Sequence, residues 1–276
     1  MEPPETKIRK VDYSKLTLKA HSYFRAKSLT QNAFWWHPLS KAVIHSTSFA
    51  ASILLKLSFN KISIKGSDKF VSLLTDKNRQ HSIITYSNHI STFDDPIIWG
   101  TLPKHVYAKP ELMRWTLGAK ELTFINPPLT AFFSLGQVIP TARGEGIYQD
   151  AIHIFPEGFV NQRESLLRFK WGIAKIILDS PVTPTVVPIF HKGLDKIFPL
   201  ENKYRYPVIH PFNKHLSPDF SITFGDPVDL SPLIAEYKLA ISQTNNDPSK
   251  IDEINKLFRV KVSDFLTAKL LELAKN

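Results

Sequence analysis

The sequence predicts a single-domain α/β fold, a mixed sheet flanked by helices, with interfacial membrane segments attached, and three observations lead there. At 276 residues the chain is long enough for one sizeable core and too short for two domains with a linker. Short β-rich runs alternate with helical patterns, the signature of strands covered by helices. Two uncharged stretches, 42–55 and 122–142, stand apart from an otherwise globular composition of 43% hydrophobic and 22% charged residues.

Taken in order, residues 1–30 form a basic N-terminal segment with little apolar patterning, expected to be poorly ordered. Met1 to Lys10 carries Glu2 and Glu5 beside Pro3 and Pro4, which suits neither a secretory signal nor an acid-poor presequence, so any organelle address is expected to be internal. Residues 31–60 read as a membrane anchor. The aromatic cluster Phe34, Trp35 and Trp36 precedes the 14-residue stretch from Ala42 to Leu55, which is short of a span and contains His45, Ser46, Thr47, Ser48 and Ser52. An interfacial or re-entrant helix fits that pattern better than a crossing one; buried core is the alternative.

Strands are expected at Lys61–Lys65, Ser82–Tyr86, Val138–Ile139, Ile152–Phe155 and Thr185–Ile189. A helix opens near Pro96 and runs to Gly100, a second covers Leu166–Leu178, and a third, amphipathic, covers Ile251–Leu273. The stretch Leu122–Ala142 is interrupted by Asn126, Pro127 and Pro128 early and by Gly136, Gln137 and Pro140 late, so it cannot be one helix. If Val138–Ile139 and Ile152–Phe155 are parallel neighbours, their connection is near the lower limit for a crossover, about a dozen residues. The α/β domain thus occupies 61–235 and a C-terminal helical region 236–276.

Charge and cysteine content narrow the function. Thirty-five Lys and Arg against 25 Asp and Glu leave a formal charge of +10, which favours a polyanionic partner. No helix-turn-helix, zinc finger or aromatic RNA-binding pattern accompanies it, so an anionic membrane surface is preferred to nucleic acid. The absence of cysteine excludes disulfides, thiolate metal sites and a cysteine acyl-enzyme.

Directly after Ser82–Tyr86 comes Asn88-His89-Ile90-Ser91-Thr92-Phe93-Asp94-Asp95-Pro96, at a strand end, where α/β sites form. Asp94 near a helix start can fold back onto the His89 imidazole, fixing its tautomer and stabilising the imidazolium. The same residues also fit an ordinary capping box, Ser91-x-x-Asp94, with His89 as a plain loop residue. Phe155-Pro156-Glu157-Gly158 supplies a carboxylate at a second strand end, and Gly136–Arg143 ends a third strand-like run in a guanidinium suited to a phosphodiester. His153 is expected to be packed rather than catalytic, and His191 is open.

Asn88-His89-x4-Asp94 followed by Phe155-Pro156-Glu157-Gly158 resembles the H-x4-D and F-P-E-G motifs of the glycerolipid acyltransferase superfamily, in the same order. Asp94-Asp95-Pro96 with Trp99-Gly100, the run Phe132–Gly136, Arg143-Gly144 and Arg168–Ile173 resemble the branch of coenzyme-independent transacylases within it. So does Phe159-Val160-Asn161 after the second motif, where acyl-CoA-dependent members usually carry Thr-Arg. The resemblance implies a glycerolipid-acyltransferase-like fold over 61–235. It also implies His89 as general base, Asp94 as its partner, and Arg143, Glu157 and Gly158 with Asn88 at the acceptor or its phosphate. The implied reaction is acyl transfer from a phospholipid donor to a lysophospholipid acceptor, remodelling cardiolipin with no cofactor and no metal, on mitochondrial membranes facing the intermembrane space. An acyl-CoA-dependent 1-acylglycerol-3-phosphate acyltransferase and a non-catalytic basic lipid-binding protein are the alternatives.

The residues themselves bear on the mechanism. With no cysteine and no G-x-S-x-G elbow, the nucleophile must come from the acceptor, its hydroxyl deprotonated by His89.

Overall fold

Apolar runs of four to eight residues pair into one seven-stranded sheet in the computed structural model, which describes residues 34–119, 123–141, 151–200 and 217–275. The strands are β1 (Ile62–Lys65), β2 (Ile83–Ser87), β3 (Trp115–Ala119), β4 (Val138–Thr141), β5 (Ala151–Ile154), β6 (Thr185–Lys192) and β7 (Phe220–Phe224), in the order β1-β7-β6-β2-β5-β3-β4. Every neighbouring pair is parallel except β6 and β7, so the sheet is mixed as expected.

The central strands are buried on both faces, which is why they read as near-continuous Ile, Val and Thr rather than as a clean alternation. Successive side chains nevertheless divide between two cores. Ile83, Val187 and Ile189 join Ile97, Trp99 and Leu55 on one face; Ile84, Tyr86 and Val186 join Phe169, Ile173 and Leu266 on the other. The first core is covered by helices α1 (Trp36–Ser58), α2 (Ser67–Thr75) and α3 (Asp94–Gly100). Beyond the short α4 (Lys104–Tyr107) and α5 (Pro127–Leu135), the second is covered by α6 (Gly172–Asp179) and by α9 (Pro248–Ala274). Between these last two come the one-turn α7 (Leu194–Ile197) and α8 (Ser231–Ser242).

Helix α1 is longer than the uncharged stretch within it. It buries Trp36, Ser40, Ile44, Ser48, Ala51 and Leu55 on one face, and the small members let α3 approach closely. A Cβ built on Gly100 would stand 2.8 Å from that of Ala51, so this contact requires glycine. The opposite face carries Leu39, Phe49, Ile53 and Leu57, each exposed by two fifths or more. No helix among the described residues is long and apolar enough to cross a membrane.

One expected boundary changes, one conditional reading falls away, and some elements are new. β4 and β5 are not neighbours, because β3 lies between them and pairs with both; residues 142–150, which join them, lie outside the described residues. The helix expected over Leu166–Leu178 begins only at Gly172. Before it, the chain follows the preceding turn: Lys170 N–H, which a helix would direct to the Leu166 carbonyl, donates to the Pro156 carbonyl (2.7 Å), and Leu167 N–H donates to Glu157 Oε2 (2.8 Å). Strands β3 and β7 and helices α2 and α8 were not anticipated, although Phe220–Phe224 alternates buried and half-buried as a strand with one covered face should.

Candidate active site

Parallel pairing sets the carboxyl ends of β5, β2 and β6 side by side, with Tyr86 opposite both Ile154 and Pro188, and the loops that leave them converge. The β2 loop carries the first sequence motif. Asp94 is fully buried, and its Oδ2 lies 2.9 Å from His89 Nδ1 while also accepting from the N–H groups of Ile90 (2.6 Å) and Ser91 (2.9 Å). One oxygen therefore both shapes the turn and orients the imidazole; of the capping box only the Asp94 half is present, since Ser91 Oγ accepts from the Phe93 N–H (3.1 Å) and the helix N-cap, Phe93, has no side-chain cap bond. A carboxylate only accepts, which puts the proton on Nδ1 and leaves the lone pair on Nε2. The ring is one fifth exposed, and among the described residues no protein group bonds to Nε2.

Phe155 stacks on the His89 ring at 4.2 Å between centroids, and His153 meets Phe155 edge-on at 4.6 Å, so the imidazole has a rigid floor. The second motif is joined to the first through Glu157. This side chain is fully buried; Oε1 accepts from the His89 N–H (2.9 Å), and Oε2 accepts from Asn161 Nδ2 and the Leu167 N–H, both at 2.8 Å. Gly158 holds φ +75°, a left-handed turn that favours glycine. Asn88 is also turned inward: its amide donates to the His191 carbonyl (2.9 Å) and accepts from the His191 N–H (3.1 Å). Glu157 and Asn88, expected at the lipid acceptor, thus have their polar atoms bonded to the protein itself, whereas Gly158 is exposed at the turn. Arg143, with Gly144, lies outside the described residues.

Sequence reasoning expected the run ending at Arg143 to supply the third strand end. The neighbour of β2 on its other side is instead β6, which brings His191 beneath the dyad. His191 Nε2 donates to the Asn88 carbonyl at 3.1 Å and lies 3.8 Å from Asp94 Oδ2; burial, more than any neighbour, lowers its pKa and keeps it neutral. Asn161 and Gln162 were also missed as site residues: Asn161 reaches the His89 carbonyl through its own backbone N–H, and Gln162 bonds backbone groups distant in sequence. Beside the dyad, burial opposes ionisation of Asp95, but its ion pair with Arg114 outweighs burial and holds the carboxyl below its ordinary pKa.

His153 is packed as expected, fully buried between the hydroxyls of Thr85 (2.9 Å) and Ser87 (3.3 Å). Burial pushes its pKa down to about 3. It stays neutral in the folded chain while the unfolded chain takes a proton below about pH 6.5, so stability falls as pH drops from that value toward 3. A His153→Gln variant is expected to flatten this decline by about 1 kcal/mol per pH unit, as measured by denaturant unfolding between about pH 7 and 5.

Comparison with known proteins bears on this geometry. A family model described as "Acyltransferase" matches residues 62–192, which contain both motifs. Tafazzin of Drosophila melanogaster is 31% identical over 74% of this chain and 55% of its own length. Taffazin of Dictyostelium discoideum is 36% identical over 66% of this chain and 67% of its own. An N-acylphosphatidylethanolamine synthase of Arabidopsis thaliana is 37% identical over 68% of this chain and 71% of its own. The chain spans just over half the length of the Drosophila relative and about two thirds of the Dictyostelium one. On these matches, and with the two motifs inside the matched segment, the chain belongs to the tafazzin family of acyltransferases.

Proposed function

We propose that this protein moves a fatty acyl group from a phospholipid donor to the hydroxyl of a lysophospholipid, monolysocardiolipin in particular, without coenzyme A. The observation that carries the reading is the His89–Asp94 pair, with Nδ1 committed to a buried carboxylate and the Nε2 edge accessible. In this reading Nε2 takes the proton of the acceptor hydroxyl, whose oxygen attacks the donor's ester carbonyl. Collapse of the tetrahedral intermediate expels the donor's glycerol oxygen, which recovers that proton from the imidazolium, and Asp94 stabilises the cation in between. No cofactor enters the step. Gly158 at its turn and Arg143 serve the acceptor's headgroup, with Asn88 and Glu157 holding the loops behind them.

Two surface features support a lipid substrate. A cavity of about 590 Å³ runs between α1 and the start of α3, lined by Thr47, Ala50, Leu54, Phe93, Pro96 and Ile97, almost wholly apolar and beginning one residue before Asp94. An acyl chain fits its chemistry and its position. The outward stripe Leu39, Phe49, Ile53 and Leu57 docks at the bilayer interface, while exposed Arg163, Arg168 and Lys170 beyond the Glu157 turn attract anionic lipid. Residues 31–60 are then the anchor of a peripheral or monotopic enzyme on mitochondrial membranes facing the intermembrane space. Residues 61–235 are the catalytic domain, and 236–276 are a helical region packed behind it.

A second reading has its own support in the 37% identity to the Arabidopsis synthase: transfer to the amine of phosphatidylethanolamine. One assay separates these and the coenzyme-dependent rival. Labelled phosphatidylcholine is incubated in vesicles with monolysocardiolipin or phosphatidylethanolamine, with and without coenzyme A. Labelled cardiolipin formed without coenzyme A is the expected product. Label only in an N-acyl product supports the second reading, and a strict requirement for acyl-CoA overturns both.

A further inference from the structure

Asn161 is buried four residues beyond Glu157, on the loop that leaves β5. Its N–H donates to the His89 carbonyl at 2.6 Å. Its side-chain amide donates to Glu157 Oε2 and to the Ser165 carbonyl, both at 2.8 Å, and its Oδ1 accepts from the Arg163 N–H at 3.1 Å. Glu157 holds the N–H of His89 through its other oxygen. The reactive histidine is therefore gripped at both ends of its own backbone, and the two grips are joined by one hydrogen bond between Asn161 and Glu157. Gln162 extends the clamp by donating to the carbonyls of Ile90 and Phe198, each at 2.8 Å.

We propose that Asn161 is a positioning residue that clamps the His89 loop onto Glu157. The inference rests on the reading of His89 as base. Only an amide meets the local demand: two donors on one side, for a carboxylate and a carbonyl, and an acceptor on the other for a backbone N–H. Alanine would release Glu157 Oε2 from one donor and loosen the clamp. Aspartate would set a second carboxylate against the first, so that one of the two must hold a proton before the contact can re-form. Glu157 is the titratable group that touches this position. His89 and Asp94 lie beyond it across the first-motif loop, Arg163 meets it through its backbone, and Glu164, Lys170 and His191 lie on the surrounding loops and strand.

The test compares the wild type with Asn161→Ala, Asn161→Asp and His89→Ala. Initial transfer rates and thermal midpoints are read between about pH 5.5 and 8. Asn161→Ala is expected to lower kcat about tenfold at every pH with KM unchanged, because the base is displaced rather than the lipid released. Asn161→Asp is expected to fall about a hundredfold near pH 7.5, and its rate as a fraction of wild type to rise about tenfold toward pH 5.5. Taking that fraction cancels the pH dependence that the two enzymes share. The thermal deficit of Asn161→Asp should shrink over the same range. One of the paired carboxyls has a folded pKa above its unfolded value, so the penalty is present at high pH and relieved as pH falls through the folded pKa. Wild-type kcat in Asn161→Ala, or a fraction and a thermal deficit in Asn161→Asp that ignore pH, overturns the proposal. Normal activity in His89→Ala would instead overturn the base assignment, while the thermal deficit would still test the clamp. If Asn161→Asp does not fold, the kcat and KM of Asn161→Ala decide.

Discussion

Replacement of His89 by alanine is expected to reduce acyl transfer by about 10²- to 10⁴-fold, the usual range for loss of a general base, with a thermal midpoint close to wild type. The asymmetry follows from the geometry. The ring is partly exposed, makes one hydrogen bond to the protein and rests on Phe155, so its removal forms no enclosed cavity. Asp94 Oδ2 keeps the N–H groups of Ile90 and Ser91, and the loop keeps its shape. Asp94→Asn is expected to lose a comparable factor, because the neutral amide neither stabilises an imidazolium nor enforces the Nδ1–H tautomer. The double variant should be little worse than either single one, since the two side chains act as a unit. Initial rates on vesicles together with thermal unfolding read all three. A His89→Ala enzyme with wild-type turnover would leave the dyad with only its role in the turn.

What the sequence disclosed about this site is what local order can encode. A strand pattern followed by His89 and Asp94 five positions apart puts both in one loop, and the turn that Asp94 closes is made by Ile90 and Ser91 between them. Glu157 was legible as a carboxylate at a strand end, but its orientation was not. Which way it points depends on β5 lying beside β2, a partnership across 68 positions that no short-range pattern specifies. Strand order had the same effect on the third contributor. With β3 between β5 and β4, Val138–Thr141 stands two strands further out than β5, and the strand on the other side of β2 is β6, which carries His191. Applying the strand-end rule to Thr185–Ile189 as well would have placed His191 on the same rim. Asn161 was legible only as part of the run after the second motif, and nothing in that run shows that its amide meets Glu157; Gln162 offered no signal, because it bonds backbone groups, which every residue carries.

Glu157→Ala is expected to be the most damaging single substitution for the fold around the site. Its carboxylate is fully buried and satisfies three donors: the His89 N–H, Asn161 Nδ2 and the Leu167 N–H. Deletion leaves the two backbone donors unpaired, each costing about 1–3 kcal/mol. Asn161 keeps its bond to the Ser165 carbonyl, which limits its share. A total of about 3–5 kcal/mol, or about 10 °C in Tm for a chain of this size, is the expected loss. Activity should fall with it through kcat, since the carboxylate acts on the backbone of His89. Glu157→Gln makes the sharper comparison, because it keeps the volume and replaces one acceptor oxygen with an NH₂ that must face a donor. It should therefore remain impaired in kcat although nothing has been removed. A carboxylate that bound the lipid directly would behave differently: KM for the acceptor would rise, kcat at saturation would hold, and the thermal midpoint would scarcely move. The split between kcat and KM in Glu157→Gln thus determines whether this glutamate serves the substrate or the histidine.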